Sequence, residues 1–405
     1  MKYLLYLCLV FNCLAVEPFF SYNISNKILF TSGGYYRDEY QWGLKNTGQE
    51  TKTYNPNGTV FSTEPTGNAD VNILPAWEIK ACSDILIAVI DDCFLLDHEE
   101  FQNIWWINPE TGCPGVRISG GIVSSNVNVN KGFHGTTQVG IIAANGNNGT
   151  GISGVLRDGA RIMPVSCADS YADLGRGMEF AVTNGAKIIL FAYGYPAPRR
   201  EWTNAFRLAR DSNCIVVCSA SENNGHEIGL GQYPDYPAQW VNDFPILNVG
   251  ALTREGKRYA VSGYSTNWVD VFAPGRACVT TFTNHSYTYT SGTSPAAAYV
   301  AGYVAILWET FPRKSNYEIL SRIKPTVKTN EFLLNTCSSG GYIDVFAGLN
   351  WYQGPSLSLL ATNIGVIENS TNLSDWIFVQ NVSAGTIFTV TNCYLTQEYF
   401  RVRYE

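Results

Sequence analysis

A series of short, nearly unbroken apolar runs constrains this chain more than any other feature: DILIAVI (84–90), ARIMPVS (160–166), KIILFAY (187–193), CIVVCSA (214–220) and PILNVGA (245–251). A strand with one wet face alternates apolar and polar residues, whereas a strand covered on both faces loses that alternation. Helix-length segments with amphipathic spacing lie between the runs, at 134–145, 171–184 and 200–211, and two more follow at 293–310 and 315–323. Strands alternating with helices predict an α/β fold, a doubly wound and mostly parallel sheet with helices on both faces. Ligands of such sheets bind at the carboxyl ends of the strands. The polar residues that close the runs, Asp91 and Asn223 among them, are therefore where chemistry is expected.

The rest of the chain divides around this block. MKYLLYLCLVFNCLAV has one lysine followed by an apolar run of signal-peptide length, with Ala15 as the small residue at a cleavage point. The run is short for spanning a bilayer. Residues 1–15 are thus expected to be a leader, 16–75 an extended N-terminal arm and 76–353 the α/β domain. Past Gln353-Gly354-Pro355, WIFVQ (376–380), TIFTV (386–390) and EYFRV (398–402) predict a small β-rich extension over 354–405. A net charge of −7, with no cluster of Lys or Arg, excludes a phosphate-backbone partner. Of 11 cysteines, Cys8 and Cys13 leave with the leader. The odd number remaining, in a secreted context, predicts disulfides with at least one thiol left over, in a pairing that sequence does not give.

Four residues carry the chemical signal. Ser294 precedes Pro295 and a long apolar helical run, which places its N–H at a helix start, where the dipole favours developing negative charge. Pro295 is expected at the first helical position. A plain N-cap serine would read the same way. Of the 4 histidines, His134 opens an apolar helix in the context HGT; His98 sits in the acidic run DHEE and reads as a solvated surface residue, while His226 and His285 read as loop residues. Asp91 ends a strand, and alternation is expected to point the adjacent Asp92 the opposite way. Asn223, in SENNG, offers an amide just past another strand, although a turn asparagine would look alike.

Together AVIDD, HGT…VG, ASENNG and SGTS-x-A-A…VAG resemble the subtilisin-like serine proteases, over roughly residues 36–350. The order Asp, His, Ser is the subtilisin order. QWGLKNTGQ (41–49), NNGTGISGV (147–155) and YSTNWVDVFAPG (264–275) extend the resemblance. It implies that Asp91 orients His134, that His134 takes the proton from Ser294, and that Asn223 and the Ser294 N–H hold the oxyanion. It also implies substrate backbone pairing at Ala192, Tyr193 and Gly194, and aligns Glu100 and Asn148 with a structural calcium site. The chemistry itself is expected to need no cofactor. The flanks depart from the family pattern at Cys93, Thr137, Gln138, Glu222, Pro295 and Ala298, and the stretch after Ala15 is short for an independent pro-domain.

The expectation is a secreted, monomeric serine endopeptidase acting on peptide or protein substrates, without nucleic acid or membrane partners once the leader is gone. The alternative from another class is a catalytically impaired member of the same fold, serving as an extracellular binding module.

Overall fold

A computed structural model describes residues 41–351, apart from 49–50, 55–59, 64–66, 68, 126, 128–132, 168–169, 221–222 and 230–232, together with the backbone of the strands within 357–404; at 51–63, too, only the backbone is described. The expected leader lies outside the described residues. Two compact units separate, one ending at Phe346 and the other beginning at Ala347.

In chain order the first unit begins with an antiparallel pair, β1 (Thr51–Tyr54) and β2 (Val60–Thr63), then α1 (Ile73–Trp77) and β3 (Leu86–Asp91). The hairpin β4 (Val116–Ser119) and β5 (Ile122–Ser124) precedes α2 (His134–Ala143), β6 (Arg161–Ser166) and α3 (Tyr171–Thr183). Next come β7 (Ile188–Phe191), α4 (Arg200–Asp211), β8 (Ile215–Ser219), β9 (Ile246–Leu252) and β10 (Val271–Pro274). A second hairpin, β11 (Cys278–Phe282) and β12 (Ser286–Thr290), leads into α5 (Thr293–Thr310), α6 (Asn316–Ile323), β13 (Lys328–Thr329), β14 (Gly341–Tyr342) and α7 (Val345–Asn350).

The central sheet has 10 strands in the order β13-β14-β10-β9-β8-β7-β3-β6-β4-β5. Every pairing from β14 to β4 is parallel, and only the two edge pairings are antiparallel. Each residue of β3, β7, β8 and β9 is buried, which is why their sequences run apolar without alternation. Trp202 and Phe206 of α4 and Leu174 and Met178 of α3 pack with Ala88, Ile90, Ile189 and Val216 on one face of the sheet. Helices α2 and α5 pack on each other, and α5 lies along β7 to β10. From Thr293 to Trp308 every residue of α5 is buried, as expected of a helix that is apolar all round.

The order in which strands are added switches sides at β3, which has β6 on one side and β7 on the other, both parallel to it. The carboxyl ends meet there in register, with Asp91 opposite Ser166 and Ile90 opposite Phe191. Such a switch point leaves a crevice above the sheet. Part of the expected arm docks on this unit: Gln41 exchanges two hydrogen bonds with Ser153 (2.7 and 3.0 Å), and the buried Trp42 indole donates to Arg276 O at 3.0 Å.

In the second unit β15 (Leu357–Leu360) pairs antiparallel with β18 (Ile387–Val390), and β16 (Gly365–Ser370) lies between β17 (Ile377–Val382) and β19 (Tyr399–Tyr404). The expected strands over 376–402 are present, and β15 and β16 add to them. No disulfide joins any of the eight described cysteines, six of which are buried, so none of the expected disulfides forms among the described residues. Buried thiols of this kind behave as small apolar residues. Among the described residues no helix is long and apolar enough to cross a membrane.

Candidate active site

Three chain segments converge at the carboxyl edge of the sheet. Asp91 is the last residue of β3 and is 1 % exposed. His134 is the first residue of α2, and its Nδ1 lies 2.8 Å from both Asp91 carboxylate oxygens. A nitrogen shared between two carboxylate oxygens carries the ring proton, which leaves Nε2 as the lone pair of the neutral imidazole. Burial works against charging this ring, but the Asp91 charge, its hydrogen bond and then the Asp92 charge outweigh it and push His134 up to about 9.

Asp92 does not turn away from Asp91. The strand stops at Asp91, so alternation no longer governs the next residue, and Asp92 Oδ1 accepts from Gly135 N at 3.1 Å while Oδ2 lies 3.5 Å from His134 N. Phe133, the N-cap residue of α2, supplies no side-chain bond, so Asp92 serves two of the helix's unsatisfied N–H groups. Burial, and then the neighbouring Asp91 charge, raise Asp92 to about 6.

Ser294 is the second residue of α5 and is 9 % exposed. Pro295 therefore stands third rather than first, still within the turn whose N–H groups have no intrahelical partner. The N-cap is Gly292 at φ 136°, a left-handed conformation that L side chains rarely adopt. Asn223, past the end of β8 with φ 56°, reaches across so that its Oδ1 accepts from Thr293 N at 2.8 Å and from Thr293 Oγ1 at 3.2 Å. With its oxygen fixed on the residue before Ser294, the amide keeps Nδ2 as a donor that meets no acceptor among the described residues. Ser294 Oγ and His134 are not hydrogen-bonded to each other among the described residues; the neighbour of His134 Nε2 is Gln138 Nε2, at 3.5 Å. Catalytic hydrogen bonds of this kind often tighten only once substrate binds.

Ala192, Tyr193 and Gly194 follow directly on β7 and are half-buried. Burial, followed by the Asp91 and Asp92 charges, holds the Tyr193 hydroxyl far above its ordinary range. No sequence signal singles out Asp235, yet a Cβ on Gly194 would lie 2.5 Å from its Oδ1. Thr293, the seat of Asn223, and Ser166, whose Oγ donates to Asp92 O at 2.5 Å, escape sequence reading for the same reason. Their partners are remote in the chain.

His98 is not a surface residue. It is 2 % exposed, with Nε2 3.1 Å from Ser286 O and Nδ1 accepting from Glu100 N at 3.2 Å. The β11–β12 hairpin covers it, and burial lowers its pKa below the ordinary histidine value. The calcium pair does meet, but through donors. Glu100 Oε1 accepts from Ile152 N (2.7 Å) and Tyr287 Oη (2.9 Å), and Oε2 accepts from Asn148 Nδ2 (2.8 Å). Thr150 donates to Asn148 Oδ1 through both N and Oγ1, so the Asn148 oxygen faces away from Glu100. N–H and O–H groups satisfy a carboxylate but repel a cation, so these residues do not fit calcium. Burial raises Glu100 to about 7.

The class is thus an α/β protein with a carboxylate–imidazole pair at the switch point of its sheet and a serine at the start of a buried helix. The family model described as the subtilase family matches residues 83–343, more than half of the chain, and the chain belongs to that family. It is 29% identical over 279 residues to a thermophilic serine proteinase of Bacillus sp. (strain AK1), covering 67% of this chain and 64% of that protein. It is 27% identical over 261 residues to thermitase of Thermoactinomyces vulgaris, covering 63% of this chain and 85% of the relative. Among solved structures, a protease of Pseudoalteromonas arctica PAMC 21717 superposes with a TM-score of 0.59 at 26% identity, over 69% of this chain and 94% of that one. Fervidolysin from Fervidobacterium pennivorans, at 21% identity and TM-score 0.58 over 77% and 51% of the two chains, bears on the fold alone. The chain spans 64% of the length of the first of these relatives, just under two thirds.

Proposed function

We propose that this protein is a secreted serine endopeptidase that hydrolyses peptide bonds through Asp91, His134 and Ser294, with Asn223 Nδ2 and the Ser294 N–H as oxyanion donors. The observation that carries this reading is the pairing of the buried Asp91 with the half-buried His134 at the head of α2, the helix that packs on the helix of Ser294. Neutral His134 accepts the Ser294 proton at Nε2 as Oγ adds to the scissile carbonyl, and the tetrahedral oxyanion takes the N–H of Ser294 and the amide of Asn223. The imidazolium, steadied by Asp91, then gives its proton to the leaving amine, and water repeats the cycle on the acyl-enzyme. Ala192, Tyr193 and Gly194 pair with the substrate backbone. These steps run on the chain's own side chains.

The test is labelling of Ser294 by a fluorophosphonate in the leader-free protein, together with casein cleavage, with Ser294→Ala as control. Labelling and cleavage that both vanish in the control are expected. Background labelling in a correctly folded protein would refute the endopeptidase reading and favour a binding module on the same fold. Ester turnover without casein cleavage would limit the chemistry to esters.

A further inference from the structure

Gln138 is the polar side chain that the fold accommodates least easily. It stands one turn after His134 on α2, is 0 % exposed, and is followed by the buried Val139, Ile141 and Ile142. Its Nε2 lies 3.1 Å from Thr137 Oγ1 and 3.5 Å from His134 Nε2. The Thr137 hydroxyl gives its own proton to His134 O at 2.7 Å, so toward Gln138 it can only accept. That fixes the amide with its NH2 group facing the imidazole and its oxygen facing away. Gln138 Oε1 is buried and has no hydrogen-bond partner among the described residues. An unpaired buried acceptor is destabilising, and here it accompanies an N–H held against His134 Nε2.

That nitrogen matters because Asp91 already holds the proton on Nδ1. The Nε2 lone pair faced by Gln138 is the same one that must receive the Ser294 proton in the reaction proposed above, and the inference rests on that reading. We propose that Gln138 is a positioning residue for His134: when the ring is neutral its N–H occupies the Nε2 lone pair, which favours that form and competes with the Ser294 hydroxyl for the same acceptor. Charging the ring would bring a second N–H against the amide, so Gln138 opposes what Asp91 and Asp92 promote. Among the described residues those two carboxylates, at the end of β3, are the charged groups that act on the ring. Tyr193 beyond β7 lies near both of them, β11 brings only the Thr280 and Thr281 hydroxyls to the α2 backbone, and the first turn of α5 brings no acidic residue.

The experiment is the pH dependence of kcat/KM on a chromogenic peptide for the wild type, Gln138→Leu, Gln138→Met and Gln138→Glu, with fluorophosphonate labelling rates at the alkaline plateau. The leucine and methionine variants keep the volume and lose the donor. Their acid limbs are expected to move up by about half a pH unit to one unit, the worth of one weak hydrogen bond. Their plateau labelling should rise by roughly two- to fivefold as Ser294 gains the lone pair. The glutamate variant adds a negative charge at the same reach and should move the limb further up. A merely structural role would change stability and leave the limb where it is. Limbs that coincide with the wild type in folded Leu or Met variants overturn the proposal, and should neither apolar variant fold, a limb unmoved in Gln138→Glu does so. A wild type that fails to label at Ser294 removes the catalytic reading, and this proposal with it. Normal labelling with unmoved limbs removes only the role of Gln138.

Discussion

Replacing Asp91 by Asn tests the electrostatics of the site at its source. The substitution keeps the shape of a side chain that is 1 % exposed and removes the charge that holds His134 Nδ1. In the wild type, with His134 pushed up to about 9, roughly one imidazole in a hundred is neutral at pH 7. Without the Asp91 charge the burial of the ring is less opposed, and His134 falls toward or below its ordinary value of 6.5. A fall from about 9 to 6.5 corresponds to roughly 3 kcal/mol, and most rings are then neutral at pH 7. The asparagine amide, however, points an N–H at Nδ1 and favours the tautomer with its proton on Nε2, which cannot accept from Ser294. In chymotrypsin-like proteases this swap lowers turnover by about 10⁴, and a similar plateau loss is expected here. The two effects combine into a specific signature. The wild-type to variant ratio of kcat/KM should be about 10⁴ near pH 10 and shrink to about 10² near pH 7, because the wild type has already lost most of its base there. Linkage gives a second readout with a defined sign. A raised histidine pKa contributes stability that is fully present below 6.5 and is lost as pH rises through about 9. The variant should therefore be less stable than the wild type in mildly acid buffer, with the gap closing at alkaline pH. Peptide kinetics and urea midpoints across the pH range measure both. A ratio that does not change with pH would refute the assignment of His134 as a base raised by Asp91.

Asn223→Gly removes the amide at a position whose φ of 56° glycine accepts without strain; kcat should fall by about 10²–10³ with KM little changed, read from saturation kinetics. Gly292→Ala puts a Cβ 3.2 Å from the Asn223 amide at φ 136°; about 1–3 kcal/mol of strain is expected as a lower urea midpoint, together with a tenfold or larger loss of kcat on the order set by a displaced oxyanion donor. Ser315→Ala removes the capping box that opens α6, in which Ser315 and Glu318 satisfy each other's backbone N–H groups; unfolding should become easier by about 1 kcal/mol with activity unchanged.

The sheet was legible because burial on both faces writes a continuous apolar run, and β3, β6, β7, β8 and β9 each fall within two residues of such a run. Asp91 and Asn223 were legible for a related reason: a polar residue closing an apolar run stands where the sheet stops and the crevice begins. The β11–β12 hairpin was not. Its three-residue loop is Thr283-Asn284-His285, with φ of 57° and 54° at the last two and no glycine to announce it. Missing that hairpin hid two further facts, since Ser286 and Tyr287 on it bury His98 and satisfy Glu100. Charge runs such as DHEE read as solvated only while nothing in the sequence announces the element that will cover them. Gln138 carried a visible signal, a lone amide in an otherwise apolar stretch of α2, but its meaning depends on the i, i+4 relation to His134 and on the direction of the Thr137 proton. No spacing rule contains the second of these.

The placement of the reacting groups follows from how their helices begin. Helices α3 and α6 carry none of the candidate residues and cap themselves, through Ser170 and Ser315. Helices α2 and α5 have Phe133 and Gly292 at their N-caps and no capping side chain of their own. Each is capped instead from the end of a parallel strand, α2 by Asp92 after β3 and α5 by Asn223 after β8. The first turn of each helix holds a candidate catalytic side chain, so each cap bond ties that side chain to the sheet rather than to its own helix. Between β3 and β8 stands only β7, buried at every position and paired in register with both. The separation of His134 and Ser294 is therefore set by strand spacing, the stiffest dimension of the fold. Substitutions on the outer turns of α2 or α5 should leave that separation alone. Weakening either cap should loosen it even though neither capping group needs to touch the transferring proton.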